Sequence, residues 1–427
     1  MTRPAYVYDL AALAAHVQAI RSALPDRIEL LYAVKANPDP DLLRTLAPLV
    51  DGFEAASAGE LRHLAAVLPG RPPAAFGGPG KTEADLSAGL AARVGRFHVE
   101  SPTELRRLDR LARSAGTAAE VLLRVNLPVA VAGASLVMGG GPSPFGMSPA
   151  DAVACARQTL PGVRIHGVHA HLASGLAAPV AAEVARQIVD WAVTELGAAE
   201  VNVGGGMTVD YADPDARFDW AGYGAALGGV LDAYPEVVLR VEPGRALTAY
   251  CGSYVTEVID VKRSHGEWFV VVAGGTHHLR TPAAKGHAQP FTVHPRGRAD
   301  PALPATDGVS LSATDGVSLS ATDGGSLPAT DGGPVTVVGQ LCTPKDVLSR
   351  ADRPGRIAVG DVLVFAMAGA YAWNISHHDF LMHDPPEFLT GDPRMVAARR
   401  ARAQRPVDLP AAGLPAPRSA GDSPVRQ

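Results

Sequence analysis

The sequence predicts an α/β protein whose larger part is a (β/α)8 barrel and whose remainder is a β domain. Three observations carry this. Short β-rich runs alternate with Ala/Leu-rich stretches from residue 6 to about residue 241, the alternation supplies eight strand candidates, and helices leave the pattern after residue 250. Eight such units close a barrel, and barrels of this kind present reactive groups at the C-terminal ends of their strands.

In chain order the barrel strands are expected at 30–34, 52–55, 74–77, 96–99, 121–125, 167–171, 200–203 and 237–241, with helices such as 58–67 and 102–114 between them. The runs 252–261, 267–273, 334–339 and 361–366 follow without helices between them and read as strands of the second domain, which the opening segment 5–9 joins. The expected division is 10–250 for the barrel, and 1–9 with 251–392 for a β-sandwich or β-barrel domain. Inside that domain, residues 300–333 read as a low-complexity insertion: Ala305-Thr306-Asp307-Gly308-Val309-Ser310-Leu311-Ser312 recurs in near copies from Ala313, Ala321 and Ala329. Four copies of so short a unit bury little apolar area, so a flexible insertion is expected rather than a solenoid. The Asp spacing supplies no full oxygen cage for calcium. Residues 393–427, rich in Ala, Arg and Pro, read as a disordered tail.

Composition narrows the function classes. An apolar content of 47% in 427 residues is ample for real cores, and a net charge of −5 leaves no broad basic field for nucleic acid or anionic lipid. No apolar run is long enough to span a bilayer. The opening Met1-Thr2-Arg3-Pro4 lacks the pattern of a secretory signal, so a cytoplasmic protein acting on small molecules is expected. Cys155, Cys251 and Cys342 are few, odd in number and far apart, which argues against a disulfide framework or a structural zinc site.

Four segments carry chemistry. In Leu30-Leu31-Tyr32-Ala33-Val34-Lys35-Ala36-Asn37-Pro38, an apolar strand delivers a lysine to its C-terminal end. Partial desolvation makes such an amine available to form a Schiff base with an aldehyde, and pyridoxal phosphate is the obvious aldehyde cofactor. Alone, the segment fits a solvated surface lysine equally well. Gly204-Gly205-Gly206 after a strand lets backbone N–H groups approach phosphate oxygens, although a plain tight turn has the same text. Glu242-Pro243-Gly244-Arg245 offers a carboxylate for a pyridine nitrogen and a guanidinium for phosphate. His169-Ala170-His171-Leu172-Ala173-Ser174 puts both histidines on one side of a strand, where a metal pair is conceivable. No third ligand is evident, and ring stacking by His171 with a Ser174 hydroxyl on phosphate suits the cofactor better.

These segments, with Glu54-Ala55-Ala56-Ser57-Ala58-Gly59-Glu60-Leu61, Cys342 with Asp346, and Gly369-Ala370-Tyr371, resemble in order the fold-type III, alanine-racemase-like pyridoxal phosphate enzymes. The likeness is strongest to their decarboxylase branch, which includes ornithine and diaminopimelate decarboxylases. The resemblance implies that Lys35 forms the Schiff base, His171 stacks on the ring and Glu242 pairs with the pyridine nitrogen. It gives Ser174, Gly205, Gly206, Gly244, Arg245 and Tyr371 to phosphate, places Arg124 and Glu60 around the site, and makes Cys342 the proton donor to Cα. It also implies a homodimer in which the Cys342 segment completes the partner's active site.

The text departs from the family at the substrate's far end. Decarboxylases of free basic amino acids usually follow this cysteine with an acid; here Thr343 stands there, with Asp346 further on. Cys-Thr-Pro, His277-His278 and Ser376-His377-His378-Asp379 look more like enzymes that decarboxylate amino acids carried on larger conjugates. Examples are citryl-diaminopropionate in siderophore assembly and glutamyl groups on carrier proteins. The expected function is therefore decarboxylation of an L-amino acid or conjugate in secondary metabolism, with Arg280, Thr343 and Asp346 at the substrate, histidines rimming a polar pocket and no metal. The alternatives are a diaminopimelate or ornithine decarboxylase of primary metabolism, a racemase, and a non-catalytic regulator of the same family.

Overall fold

A computed structural model describes residues 3–129, 133–297 and 328–403. Most of the repeat, and the chain beyond residue 403, lie outside the described residues. The first strand, β1 (Ala5–Tyr8), stands outside the barrel. The barrel takes β2 (Ile28–Ala33), β3 (Gly52–Ala55), β4 (Ala74–Phe76), β5 (Arg96–Val99) and β6 (Ala119–Arg124). A two-residue strand β7 (Leu136–Val137) then precedes barrel strand β8 (Val163–His169) and pairs antiparallel with β9 (Ala173–Ser174). β10 (Glu200–Asn202) and β11 (Val238–Val241) complete a closed parallel ring in the order β10-β11-β2-β3-β4-β5-β6-β8.

The ring forms because its strands are apolar on both faces, as strands enclosed by helices must be. In β2, for example, every residue but Glu29 is buried. The helices outside are started by side-chain caps just before them: Ser57, Thr82, Ser101 and Ser148 each accept the backbone N–H three residues on. At the N-terminal end of the ring lies a charged belt. Arg96 and Arg240 both clasp Glu200, and Arg240 also reaches Glu29. Burial pushes the Glu200 carboxyl up, but the two guanidiniums outweigh it and hold it down at about 2. Barrel closure also demands one bare backbone. A Cβ on Gly167 of β8 would run into the Glu200 carbonyl of the neighbouring β10.

The rest is an eight-stranded mixed sheet. Its path is β14 (Phe291–His294), β17 (Val362–Phe365), β12 (Gly252–Ser264), β13 (Glu267–Val272), β15 (Val335–Val338) and β16 (Val347–Asp352). β1 pairs with β12 and with β18 (Glu387–Thr390), so the N-terminal segment does join this sheet. Strands β14, β16 and β18 carry no clear alternation, which is why the sequence pattern passes over them. Two expectations of disorder are corrected. Pro393–Ala403 is a helix with Ala397 and Ala401 buried against Val7, Val255, Val362 and Val364. The last repeat copy is ordered at its start: Ala329 bridges Ala358, and Thr330 exchanges hydrogen bonds with Ile357 at 2.8 and 3.0 Å. Among the described residues no helix is long and apolar enough to cross a membrane.

Replacing Gly167 by Ala is expected to lower unfolding stability by at least about 2 kcal/mol in chemical denaturation, because the obstacle is backbone and cannot swing away.

Candidate active site

β2 ends at Ala33, and Lys35 lies not on the strand but in the 3-10 turn Val34–Ala36 that follows it. The turn is fixed by Asn37, whose Nδ2 donates to Gly369 O at 2.9 Å and whose Oδ1 accepts Asp39 N–H at 3.0 Å. The Lys35 ammonium reaches across to the Glu54 carboxylate on the adjacent β3, where Ala33 and Glu54 are in register. This reverses the expected electrostatics. Burial lowers the pKa of Lys35, but Glu54, then Tyr371 and Glu242, outweigh it and raise it above the ordinary value. Without a cofactor, Lys35 is an ammonium with a carboxylate partner. Nothing in the text around Lys35 marks Glu54 as its partner; the signal is its place at the end of the next strand, in register with Ala33.

Glu242 follows β11 and is buried. Its Oε1 accepts Asn202 Nδ2–H at 2.7 Å and its Oε2 accepts His169 Nε2–H at 3.2 Å. The strand expected at 167–171 stops earlier than its alternation suggests: β8 ends at His169, so His169 and His171 do not share a strand face. The third group near Glu242 is instead His98 from β5, which stacks on His169 with ring centroids 4.1 Å apart and planes 21° from parallel. His98 Nε2, 3.7 Å from Glu242 Oε1, is buried and unpartnered, as is His169 Nδ1. The donor atoms of His98, His169 and Glu242 lie within 4.8 Å of one another. Stacked imidazoles send their in-plane lone pairs along nearly parallel directions rather than toward one point, so the arrangement suits a hydrogen-bonded carboxylate better than a metal ion. Under His98 sits Lys81, unforeseen from sequence, which donates to His98 O at 2.9 Å and pairs with buried Glu104 at 2.8 Å. Arg124 pairs with Glu100 at 2.7 Å beside this group, while Glu60 accepts Ala56 N–H at 2.6 Å as a helix cap.

The glycine triplet makes a bare wall next to these residues. Gly204 and Gly206 have φ of +71° and +95°. A Cβ on Gly204 would stand 2.6 Å from that of His171, and one on Gly205 or Gly206 would strike the Glu242 or Ala173 carbonyl. Gly205 N–H donates to His171 Nδ1 at 3.2 Å, and burial first, then Arg124 and Lys35, depress this imidazole to about 3. Gly244 packs on the lysine turn: a Cβ there would lie 2.9 Å from that of Ala36. Arg245 donates to Tyr211 OH at 2.7 Å, with its guanidinium carbon 4.5 Å from the Tyr371 ring. Tyr371, at φ +49°, donates its N–H to Ala36 O at 2.8 Å. Ser174 lies in β9 at the same mouth.

The β-domain residues behave differently. Arg280 caps the short helix Thr281–Lys285 and donates to His377 Nδ1 at 3.4 Å. Cys342 and Thr343 lie on the loop between β15 and β16, with Cys342 exposed. No contact among the described residues brings Cys342 to Lys35. Asp346, expected at the substrate, is enclosed by its own surroundings. It is 2% exposed, its Oδ1 accepts Thr276 N–H and Oγ1–H at 2.6 and 2.8 Å, and its Oδ2 accepts Leu341 N–H at 2.8 Å. Three of its four lone-pair positions are taken, two by Thr276 and one by Leu341. His277 and His278 do not rim a pocket either: both are buried, His278 between Tyr254 OH and Asp384 O at 2.9 Å each, and His277 with neither nitrogen partnered.

The barrel residues fit pyridoxal phosphate. They provide an amine for its aldehyde, a carboxylate held by neutral donors for its ring nitrogen, and a bare backbone wall with a guanidinium for its phosphate. The family model for pyridoxal-dependent decarboxylase, pyridoxal binding domain, matches residues 10–249. A 2-[(L-alanin-3-ylcarbamoyl)methyl]-2-hydroxybutanedioate decarboxylase of Staphylococcus aureus is 37% identical over 394 residues, covering 90% of this chain and 93% of that one. An L-glutamyl-[BtrI acyl-carrier protein] decarboxylase of Niallia circulans is 28% identical, covering 90% and 87%. Among solved structures, diaminopimelate decarboxylase from Helicobacter pylori complexed with L-lysine superposes with a TM-score of 0.76 at 21% identity, over 92% of each chain.

Burial holds several of these imidazoles neutral in the fold: His98 and His169 well below the ordinary value near 6.5, His171 and His277 at about 3, and His278 at about 4. Below about pH 6.5 the unfolded chain therefore binds more protons than the folded one. Stability should be full above that pH and fall as pH drops toward 4, each histidine adding up to about 1.4 kcal/mol per pH unit to the slope. Calorimetric unfolding of the cofactor-free protein near pH 5 in buffers of different ionisation enthalpy should register uptake of about three to five protons.

Proposed function

The chain belongs to the pyridoxal-dependent decarboxylase family, and from that premise we propose that it decarboxylates an amino acid carried on a larger conjugate with distal carboxylates. The citrate amide of 2,3-diaminopropionate is the leading candidate, which would place the reaction in siderophore or related secondary-metabolite assembly. The observation that carries this reading is the state of Asp346. Ornithine ends in an amine and diaminopimelate in an amine beside a carboxylate; either amine calls for an acid, and the acid of the Cys342 loop is sequestered by Thr276 and Leu341. What that side offers is Arg280, whose guanidinium is hydrogen-bonded to His377. A guanidinium is the natural partner of a carboxylate. The 37%-identical relative takes its name from a hydroxybutanedioate, a group with two carboxylates.

When bound, pyridoxal phosphate supplies an aldehyde for the substrate amine and a ring that takes up the electrons left as carbon dioxide departs. The residues of this chain do the rest. Lys35 provides the amine that holds the cofactor, and Glu54 receives the ammonium whenever Lys35 is released. Glu242, oriented by Asn202 and His169, takes the ring nitrogen; His171 lies against the ring. Ser174, Gly205, Gly206, Gly244, Arg245 and Tyr371 hold phosphate. Cys342 of a second subunit returns the proton to Cα, with Thr343 beside it, and the protein works as a homodimer with shared sites. Supporting this last step, Cys342 is the one exposed thiol of the three and stands on a loop pinned at its base.

Purified with pyridoxal phosphate, the protein should show visible Schiff-base absorbance that Lys35→Ala abolishes. Carbon dioxide release should be found with the citrate amide and be absent with diaminopimelate, ornithine, lysine and arginine. Release from diaminopimelate alone would overturn the conjugate reading while leaving the family intact. Arg280→Ala should raise KM for the citrate amide roughly tenfold to a hundredfold, the worth of one or two hydrogen bonds to a charged group, with cofactor absorbance unchanged.

A further inference from the structure

The loop after Gly204-Gly205-Gly206 carries Tyr211, a side chain with no part in the assignments above. It is 6% exposed, and its hydroxyl accepts Arg245 Nη1–H at 2.7 Å. Its ring centroid lies 5.8 Å from the guanidinium carbon, so Arg245 sits between the rings of Tyr211 and Tyr371. The Tyr211 ring also stacks on His287, with centroids 4.2 Å apart and planes 29° from parallel. His287 Nε2 stands 3.0 Å from Gln289 Oε1, and fully buried Gln289 donates its Nε2–H to Ala366 O at 2.6 Å. A barrel guanidinium is thus aimed by a chain of contacts ending on the backbone just past β17, in the other domain.

Two further facts point to an anion. Among the described residues Arg245 has no carboxylate partner, whereas the buried Arg124 and Lys81 each have one and Arg240 has two. Lys285, at the end of the helix that Arg280 caps, has its pKa lowered by burial and then by Arg245. The positive charge of Arg245 thus bears on Lys285.

We propose that Tyr211 and His287 are positioning residues that aim Arg245 at the cofactor's phosphate, and that through them phosphate binding in the barrel orders the helix Thr281–Lys285. Arginine loses much rotamer freedom when it grips a phosphate; a phenol and an aromatic stack that hold it beforehand remove that loss from the binding step. Because Arg280 starts the same short helix, a barrel that has bound phosphate presents the substrate's far end with a fixed guanidinium. The inference rests on the cofactor assignment above.

Tyr211→Phe keeps the ring and the stack and deletes only the acceptor. Cofactor-free full-length protein is titrated with pyridoxal phosphate and with pyridoxal, which lacks the phosphate, by visible absorbance. The variant should lose roughly tenfold in affinity for pyridoxal phosphate, about 1.4 kcal/mol, and change less than twofold toward pyridoxal. Hydrogen exchange at residues 281–285 should slow when wild type binds pyridoxal phosphate, and slow less with pyridoxal or in the variant. An unchanged preference for pyridoxal phosphate in folded Tyr211→Phe overturns the proposal. Should that variant fail to fold, His287→Phe, which retains a stacked ring but cuts the link to Gln289, is read by the same titration and the same criterion. Wild type that binds neither compound would instead overturn the cofactor assignment itself.

Discussion

Glu242, the residue after β11, is buried with its two oxygens taken by Asn202 and His169 and with neutral imidazoles stacked beside it. Removing a carboxylate from water costs several kcal/mol. Hydrogen bonds to a charged acceptor return about 1.5–3 kcal/mol each, so two of them offset much of the cost and leave the charge itself uncancelled. Much of the local structure follows from keeping those bonds. Asn202, held by Glu242, turns its own Oδ1 to Gly204 N–H at 2.9 Å and so starts the glycine turn. That turn gives Gly205 N–H to His171, and its bare backbone lies against the Glu242 carbonyl. Acid, glycine wall and ring-facing imidazole are one hydrogen-bonded sequence of contacts rather than three separate devices.

The barrel and its machinery were largely legible in the sequence because they are built from local text. An apolar run ending in Lys35, a Gly triplet after a strand, and Glu-Pro-Gly-Arg after another each sit where a parallel strand meets its loop. What escaped depends on neighbours in space. Lys35 reads from its own segment as a desolvated, easily neutralised amine; the strand beside it brings Glu54 and reverses the sign. His169 and His171 alternate as if on one strand, but the strand stops between their roles, and the partner that matters, His98, arrives from β5. Asp346 reads as an acid near a reactive cysteine, yet its oxygens are spent on Thr276 and Leu341, which no spacing along the chain announces.

The two domains divide the work by how each holds its groups. Barrel residues are set by strand ends and by a buried network that also includes Arg124 with Glu100 and Lys81 with Glu104. Those of the mixed sheet stand on short segments pinned at a few points: Tyr371 to Ala36, Asn374 to Lys35 O at 2.7 Å, Thr281 to Tyr371 O at 2.6 Å. Such points tie the segment 371–374 to the lysine turn, and the Arg280–His377 contact stands beyond them.

The anchoring of the Cys342 loop has a consequence for how such a protein changes over generations. Asp346 and Leu341 fasten the loop at its two ends, Thr276 holds it from outside, and Thr343 braces the tip, its Oγ1 accepting Lys345 N–H at 3.4 Å and its carbonyl accepting Asp346 N–H at 3.1 Å. A new side chain at Lys345 leaves these bonds in place, whereas one at Thr343 removes a brace of the loop's own backbone. The loop thus has one tolerant position and one constrained position, and drift along a lineage is freer at the first than at the second.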